Sequence, residues 1–197
     1  MGVDSDLNRR NLVVSFESAP PIDPMMTGLD VALRIAASQD IAELRTLYAT
    51  AVRGLAPGHY SPEQIAVWSG YALAPAFRDF ILNPLTILAT HKDGLLGFCG
   101  VEPNGHVASL YVHPAHARRG VASLLLRTAL DRCPSPSEGH WFAETSLLSR
   151  PVFERLGFKQ VAVEHSVRDG VGFKRYRMRR DREQEQEQEQ HRRADNA

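Results

Sequence analysis

The residues best suited to chemistry lie in Leu110-Tyr111-Val112-His113-Pro114-Ala115-His116-Ala117-Arg118-Arg119-Gly120-Val121-Ala122-Ser123, where an apolar strand runs through a small-residue, basic loop into an amphipathic helix. Such a junction binds anions. The first N–H groups of a helix have no partner within it and sit at the positive end of its dipole, so they take phosphate oxygens readily. Gly120 and Ala122 leave room for a ligand beside that backbone, Val121 and Ser123 share the same first turn, and Arg118 and Arg119 add cationic donors. Neither G-x-G-x-x-G nor G-x-x-x-x-G-K-[ST] occurs around Gly120, which excludes a dinucleotide fingerprint and a P-loop. With one glycine, the junction is also compatible with an ordinary strand-to-helix connection, and the surrounding elements decide.

Those elements follow from apolar spacing and turn signals. Residues 31–36 read as a first strand, and Asp40 with Glu43 three residues on reads as a capping box. Behind it, Ile41, Leu44, Leu47, Tyr48, Ala51, Val52 and Leu55 keep helical spacing. A second helix starts at Ser61-Pro62-Glu63-Gln64, which combines an N-cap, a proline at the first helical position and a capping glutamine. The apolar runs 85–90, 95–101 and 106–112 are punctuated by Asp93-Gly94 and Asn104-Gly105. These dipeptides supply the positive-φ positions of type I′ turns and predict an antiparallel meander. The helix from Gly120 turns Val121, Leu124, Leu125, Thr128 and Ala129 toward the sheet and stops before Pro134. A strand at 141–145, a short helix at 150–156 ended by Gly157, and strands at 161–167 and 173–178 around Asp169-Gly170 complete a β-α-α-β-β-β-α-β-α-β-β order.

Composition removes several function classes. The 23 basic and 23 acidic residues create no overall field for nucleic acid or membrane. Cys99 and Cys133 show no CxxC spacing and no accompanying histidine cluster, so neither a disulfide framework nor a metal site is expected. No stretch approaches the roughly 18 apolar residues needed to cross a bilayer, and residues 1–10 lack the apolar core of a signal, so a cytoplasmic protein without a membrane partner is expected. One folded domain at 29–180 is expected between a flexible leader at 1–28, with Pro20, Pro21 and Pro24, and a Glu/Gln-rich tail at 181–197 that is disordered or a frayed helix. The basic run 173–180 raises a nucleic-acid reading. Alternation sets Phe173, Arg175, Arg177 and Arg179 against Lys174, Tyr176, Met178 and Arg180, which fits a charged edge strand better and leaves nucleic acid the least favoured partner.

The Gly120 junction resembles motif A of the GNAT acyltransferase superfamily, a strand followed by [Q/R]-x-x-G-x-[G/A] that holds the pyrophosphate of acyl-CoA. Gly120 and Ala122 fit the small positions, and Ala117 stands where the family usually has Gln or Arg. A second stretch, Thr145-Ser146-Leu147-Leu148-Ser149-Arg150-Pro151-Val152-Phe153-Glu154-Arg155-Leu156-Gly157-Phe158, resembles motif B, commonly N-x-x-A-x-x-x-Y-x-x-x-G-F. Gly157 and Phe158 match it, while Ser146, Ser149 and Phe153 take the Asn, Ala and Tyr positions. The run from His59 to Gln64 and the closing Arg177-Met178-Arg179 are similar to a bacterial GNAT subgroup with Ser-Arg-Pro in motif B. The resemblance covers about residues 31–180.

It implies an α/β GNAT fold: a central mixed, mostly antiparallel twisted sheet of about seven strands, splayed at the motif A and B strands and flanked by about four helices. The implied activity is N-acetyl transfer from acetyl-CoA, the co-substrate, to a primary amine of a small molecule or protein by direct attack in a ternary complex. Leu110, Tyr111 and Val112 would hold the pantetheine and thioester, with Arg118, Arg119, Gly120, Val121, Ala122 and Ser123 at the pyrophosphate and Ser146 and Phe153 on the motif B side. His106 falls where many members carry a base, and imidazole titrates in the range that suits one. Glu102 competes for that role. The usual motif B tyrosine, which protonates the departing thiolate, is Phe153 here. Either Tyr111 or Tyr176 replaces it, or the thiolate leaves into water, which is the favoured reading. His59, Tyr60 and Trp68 would wall the acceptor pocket, and a homodimer is compatible with the family. Phe153 and Ala117 also motivate an alternative, an acyl-CoA-binding sensor without chemistry.

Overall fold

In the computed structural model, which describes residues 30–133 and 136–181, the chain forms β1 (Ala32–Ile35), α1 (Ile41–Leu55), α2 (Pro62–Gly70), α3 (Phe77–Leu82), β2 (Leu85–His91), β3 (Gly94–Val101) and β4 (Val107–Val112), then α4 (Val121–Arg132), β5 (His140–Thr145), α5 (Arg150–Arg155), β6 (Lys159–Arg168) and β7 (Val171–Asp181). The expected leader, and the tail beyond Asp181, lie outside the described residues. Asp181 itself closes β7, where its carboxylate accepts from Arg179 Nε at 2.7 Å. The helix α3 carries no cap signal in sequence. It forms because Phe77 and Ile81 bury one side of a short turn, with Phe77 edge-on to Tyr48 of α1 at 5.4 Å.

The strands divide into two antiparallel sheets, ordered β1-β2-β3-β4 and β5-β7-β6. Their neighbouring edges, β4 and β5, are parallel and meet at a single bridge, His106 with Phe142, where Phe142 N–H donates to Gly105 O at 3.1 Å. The expected seven-strand sheet is therefore fastened at one end of this pair and open at the other. A bulge between Gly100 and Val101 of β3 shifts the register against β4. Val107 consequently packs in the same core as Leu110 and Val112, although the simple two-residue alternation would separate them.

One core lies beneath α4, where Leu125, Leu126 and Leu130 meet Leu96, Cys99, Trp141 and Met178. Gly97 makes this close approach possible, because a Cβ there would lie 2.5 Å from Tyr111 O and 3.0 Å from Leu125 Cδ1. The second core covers the opposite face of the first sheet, with Leu44, Tyr48, Phe77 and Ile81 against Leu88 and Phe98.

Three local expectations are corrected. Asp40 does not cap α1: its carboxylate turns back to Arg34 and to Ala37 N–H, both at 2.7 Å, and the Arg34 contact above all lowers its pKa from the ordinary value, while Glu43 accepts from Leu95 N–H at 3.2 Å. The meander turns are not type I′, because Gly94 (φ 125) and Gly105 (φ 96) adopt positive φ but Asp93 and Asn104 do not; only the last hairpin has both, at Asp169 (φ 50) and Gly170 (φ 80). Finally, β7 is a central strand, paired with β5 on one side and β6 on the other. Its Phe173, Tyr176 and Met178 are buried and Arg177 bridges Glu164, so the aromatics that suggested nucleic-acid stacking serve the core. The edge is β6, which exposes Val161, Val163 and Val167. Both cysteines are free, and Cys99 is buried, which pushes its thiol pKa up.

Candidate active site

At the end of β4 the chain takes a short 3-10 turn, Pro114–His116, and then two left-handed residues, Arg118 (φ 59) and Gly120 (φ 82), before α4 begins. The first α-helical bond runs from Leu124 N–H to Gly120 O at 3.0 Å. The N–H groups of Val121, Ala122 and Ser123 therefore have no acceptor within the helix and converge at its positive end. Glycine adopts this φ without cost, whereas a side chain at Gly120 would be strained by about 1–2 kcal/mol. Arg118 and Arg119 are exposed beside the turn. The pKa of His116 is lowered from its ordinary value by burial and by neighbouring His113.

The backbone of β4 leads away from this cradle. His113 N–H donates to Leu96 O at 2.8 Å on the β3 side. Because antiparallel strands alternate the direction of their polar groups, Tyr111 also faces β3, and the N–H and C=O groups of Leu110 and Val112 face β5. No β5 residue pairs with them among the described residues. This open gap offers an unpaired strand edge that an extended amide-containing chain can join. It runs roughly 20 Å down β4, by strand rise, to His106.

At the closed end His106 lies between two carboxylates. Its Nε2 is 2.9 Å from Glu144 Oε2 and its Nδ1 is 3.3 Å from Glu102 Oε2. The ring stacks on Phe142 at 5.0 Å between centroids and 19° between planes. The hydrogen bond to Glu144 raises the histidine's pKa above its ordinary value, and the same contact lowers that of Glu144. All three side chains keep some solvent contact, with exposures of 25% for His106, 39% for Glu102 and 21% for Glu144. A proton can therefore be exchanged here with solvent or with a bound molecule. Sequence reading missed Glu144. Alternation along β5 places it opposite the buried Trp141, Ala143 and Thr145, but only the strand pairing shows that His106 shares that face.

The other predicted residues separate into groups. Tyr111 is enclosed by Tyr48 at 4.4 Å and Phe98 at 5.3 Å, and its hydroxyl accepts from Trp68 Nε1 at 3.1 Å; burial raises its pKa. Tyr60 lies edge-on to Trp68 at 5.3 Å, and its hydroxyl accepts from Leu147 N–H at 3.1 Å. Trp68 of α2 thus touches β4 and Tyr60 of the α1–α2 connection touches the segment after β5, across the open end of the gap. The cap on α2 forms as predicted, with Gln64 N–H donating to Ser61 Oγ at 3.1 Å, while Gln64 Nε2 also donates to Gly172 O at 2.7 Å. His59 does not join this group; its side chain is exposed. Ser146 is occupied with Ser149 in a reciprocal turn, each hydroxyl accepting from the other's N–H at 3.1 Å, ahead of α5. Phe153 is 3% exposed and packs edge-on to Phe158 at 5.1 Å within the core beneath α4. Among the described residues no group of three His, Cys, Asp or Glu side chains could hold a metal ion, and no helix is long and apolar enough to cross a membrane.

The chain is similar to known proteins over most of its length. Residues 57–180 match the family model of the acetyltransferase (GNAT) domain. The chain is 29% identical over 140 residues to the uncharacterized N-acetyltransferase YafP of Escherichia coli strain K12, covering 71% of this chain and 89% of that one. Among solved structures, a GCN5-related N-acetyltransferase from Rhodopseudomonas palustris superimposes with a TM-score of 0.72 at 22% identity, over 76% of this chain and 94% of the other. The PaiA N-acetyltransferase of Thermoplasma acidophilum, in complex with coenzyme A, superimposes with a TM-score of 0.62 at 18% identity, over 78% and 99%.

Proposed function

The chain belongs to the GNAT acetyltransferase family, and from that premise we propose that it transfers an acetyl group from acetyl-CoA to a primary amine by direct attack in a ternary complex. The observation that carries this reading is the gap between β4 and β5, which joins the backbone cradle at Gly120 to the carboxylate–imidazole group at His106. Acetyl-CoA supplies the acetyl group as a thioester. The unpaired helix N–H groups with Arg118 and Arg119 bind its phosphates, and the free polar groups of Leu110 and Val112 align its amide-containing arm. A β4 N–H that meets the carbonyl oxygen as charge develops would contribute about 2.7–4 kcal/mol to the barrier reduction. Holding both reactants in one gap supplies much of the rest.

The acceptor amine has an ordinary pKa near 10 and arrives as ammonium. His106 receives its proton, after which the nitrogen lone pair attacks the carbonyl carbon and the C–S bond breaks. Phe153 has no proton to give, and Tyr111 is a weaker acid than usual in its buried cluster, so the thiolate leaves into water. Tyr60 and Trp68, at the open end of the gap, favour an acceptor with an apolar portion. A panel of amines incubated with acetyl-CoA tests the reading. Thiol release above background with an acetylated amine as product is expected. CoA binding without release for any amine would favour the sensor alternative.

A further inference from the structure

His106 is gripped unequally. Glu144 approaches Nε2 at 2.9 Å with 21% of its side chain exposed, whereas Glu102 approaches Nδ1 at 3.3 Å with 39% exposed. Glu144 comes from the opposite strand, is fixed by the β5–β7 ladder opposite Arg177, and lies in the field of Arg175 and Arg177. Those two arginines are in turn bridged to Glu164 of β6 at 3.5 and 3.7 Å. Glu102 belongs to the β3–β4 connection, with Cys133 Sγ at 3.6 Å from its backbone oxygen, and among the described residues Nδ1 is the closest partner of its carboxylate. Phe142 and, beyond it, His140 at 5.7 Å from the Phe142 ring complete the surroundings.

We propose that Glu144 is a positioning residue: it holds the N–H of neutral His106 on Nε2, so that Nδ1 is the nitrogen that takes the acceptor's proton and Glu102 is the carboxylate on which the incoming ammonium lands. This rests on the reading of His106 as the base. A neutral imidazole has one donor and one acceptor nitrogen, and the shorter, less hydrated carboxylate contact secures the donor. The ammonium then enters between Nδ1 and the Glu102 carboxylate, two acceptors that share no proton in this tautomer, donates to both, and passes one proton to Nδ1. Imidazolium forms, the amine becomes neutral, and no further reactant is required. Afterwards Nδ1 returns its proton through Glu102 to water.

Nitrogen-15 spectra of histidine-labelled protein, recorded across neutral pH, read the tautomer without turnover. The neutral form of His106 in the unsubstituted protein is expected as Nε2–H. Glu144→Gln is expected to abolish that preference and to move the His106 titration toward lower pH. The acid limb of the turnover profile should move with it, and kcat above it should fall about tenfold with little change in KM for acetyl-CoA. Glu144→Asp should recover part of the loss. A neutral Nδ1–H form in the unsubstituted protein, or a titration unmoved by Glu144→Gln, would overturn the positioning role and leave the base reading standing. Undiminished turnover in His106→Ala would remove the base reading, and the proposal with it.

Discussion

The two ends of β4 are built in opposite ways. The cradle at Gly120 consists of backbone from six neighbouring residues, Arg118 to Ser123, shaped by two left-handed residues and a helix start. The His106 group consists of side chains from two segments, the β3–β4 turn and β5, with Glu144 38 positions away from His106. A backbone device of this kind tolerates changes in side-chain identity, which is how Ala117 can stand where the family has Gln or Arg. A side-chain device does not, because His106 and Glu144 each shift the pKa of the other and lose that shift when either is replaced. Binding of the acyl donor should therefore depend on chain geometry, and the rate of transfer on three specific groups.

The comparison can be broken most easily at His106. His106→Ala should lower kcat by about 100-fold at saturating acetyl-CoA, the lower end of what a positioned acid or base contributes, with donor affinity retained; steady-state kinetics decide. Next comes Gly120→Val, which forces a β-branched residue to the left-handed φ. Strain of about 1–2 kcal/mol should weaken CoA by about tenfold, measured by calorimetry, with kcat at saturation kept. Trp68→Phe removes the bond to Tyr111 and should cost about 1 kcal/mol, lowering Tm by about 3 °C. The smallest effect belongs to the exposed cations. Arg118→Gln with Arg119→Gln should weaken CoA about threefold at low ionic strength and less as salt is added.

The comparison sharpens further through pH. The His106 pKa is raised on folding, so its contribution to stability is complete below the ordinary 6.5 and is lost as pH rises through the folded value. Glu144 is lowered, so its contribution is complete above the ordinary 4.5 and is lost as pH falls through the folded value. The Tm difference between the unsubstituted protein and Glu144→Gln should therefore be largest between these two values and shrink on both sides. The cradle contains no such pair, and Gly120→Val should show a Tm difference that does not follow this window.

How much of this the sequence reveals depends on range. The Gly120 junction, the Ser61–Gln64 cap and the Gly157 stop are local, and each forms where residue types predict it. Asp40 departs from expectation because Arg34, on the preceding strand, offers its carboxylate a charged partner that outweighs a helix cap. The two meander turns depart in hairpins whose registers slip, at bulges between Ala89 and Thr90 and between Gly100 and Val101, and Asn104 Oδ1 accepts from His106 N–H within the second turn. The central position of β7 and the meeting of Glu144 with His106 arise from pairing between distant strands, which no local pattern encodes. Family resemblance singles out His106 as a candidate, and the fold adds its partner Glu144.

The most direct test is a double-mutant cycle on acetyl-CoA-dependent amine acetylation with Gly120→Val, His106→Ala and both together. If a donor anchored by backbone at one end of the gap meets a proton acceptor at the other, Gly120→Val raises KM for acetyl-CoA, His106→Ala lowers kcat, and the losses in kcat/KM multiply. A His106→Ala enzyme that loses donor affinity instead of kcat, or a double variant no worse than the poorer single one, would contradict that division.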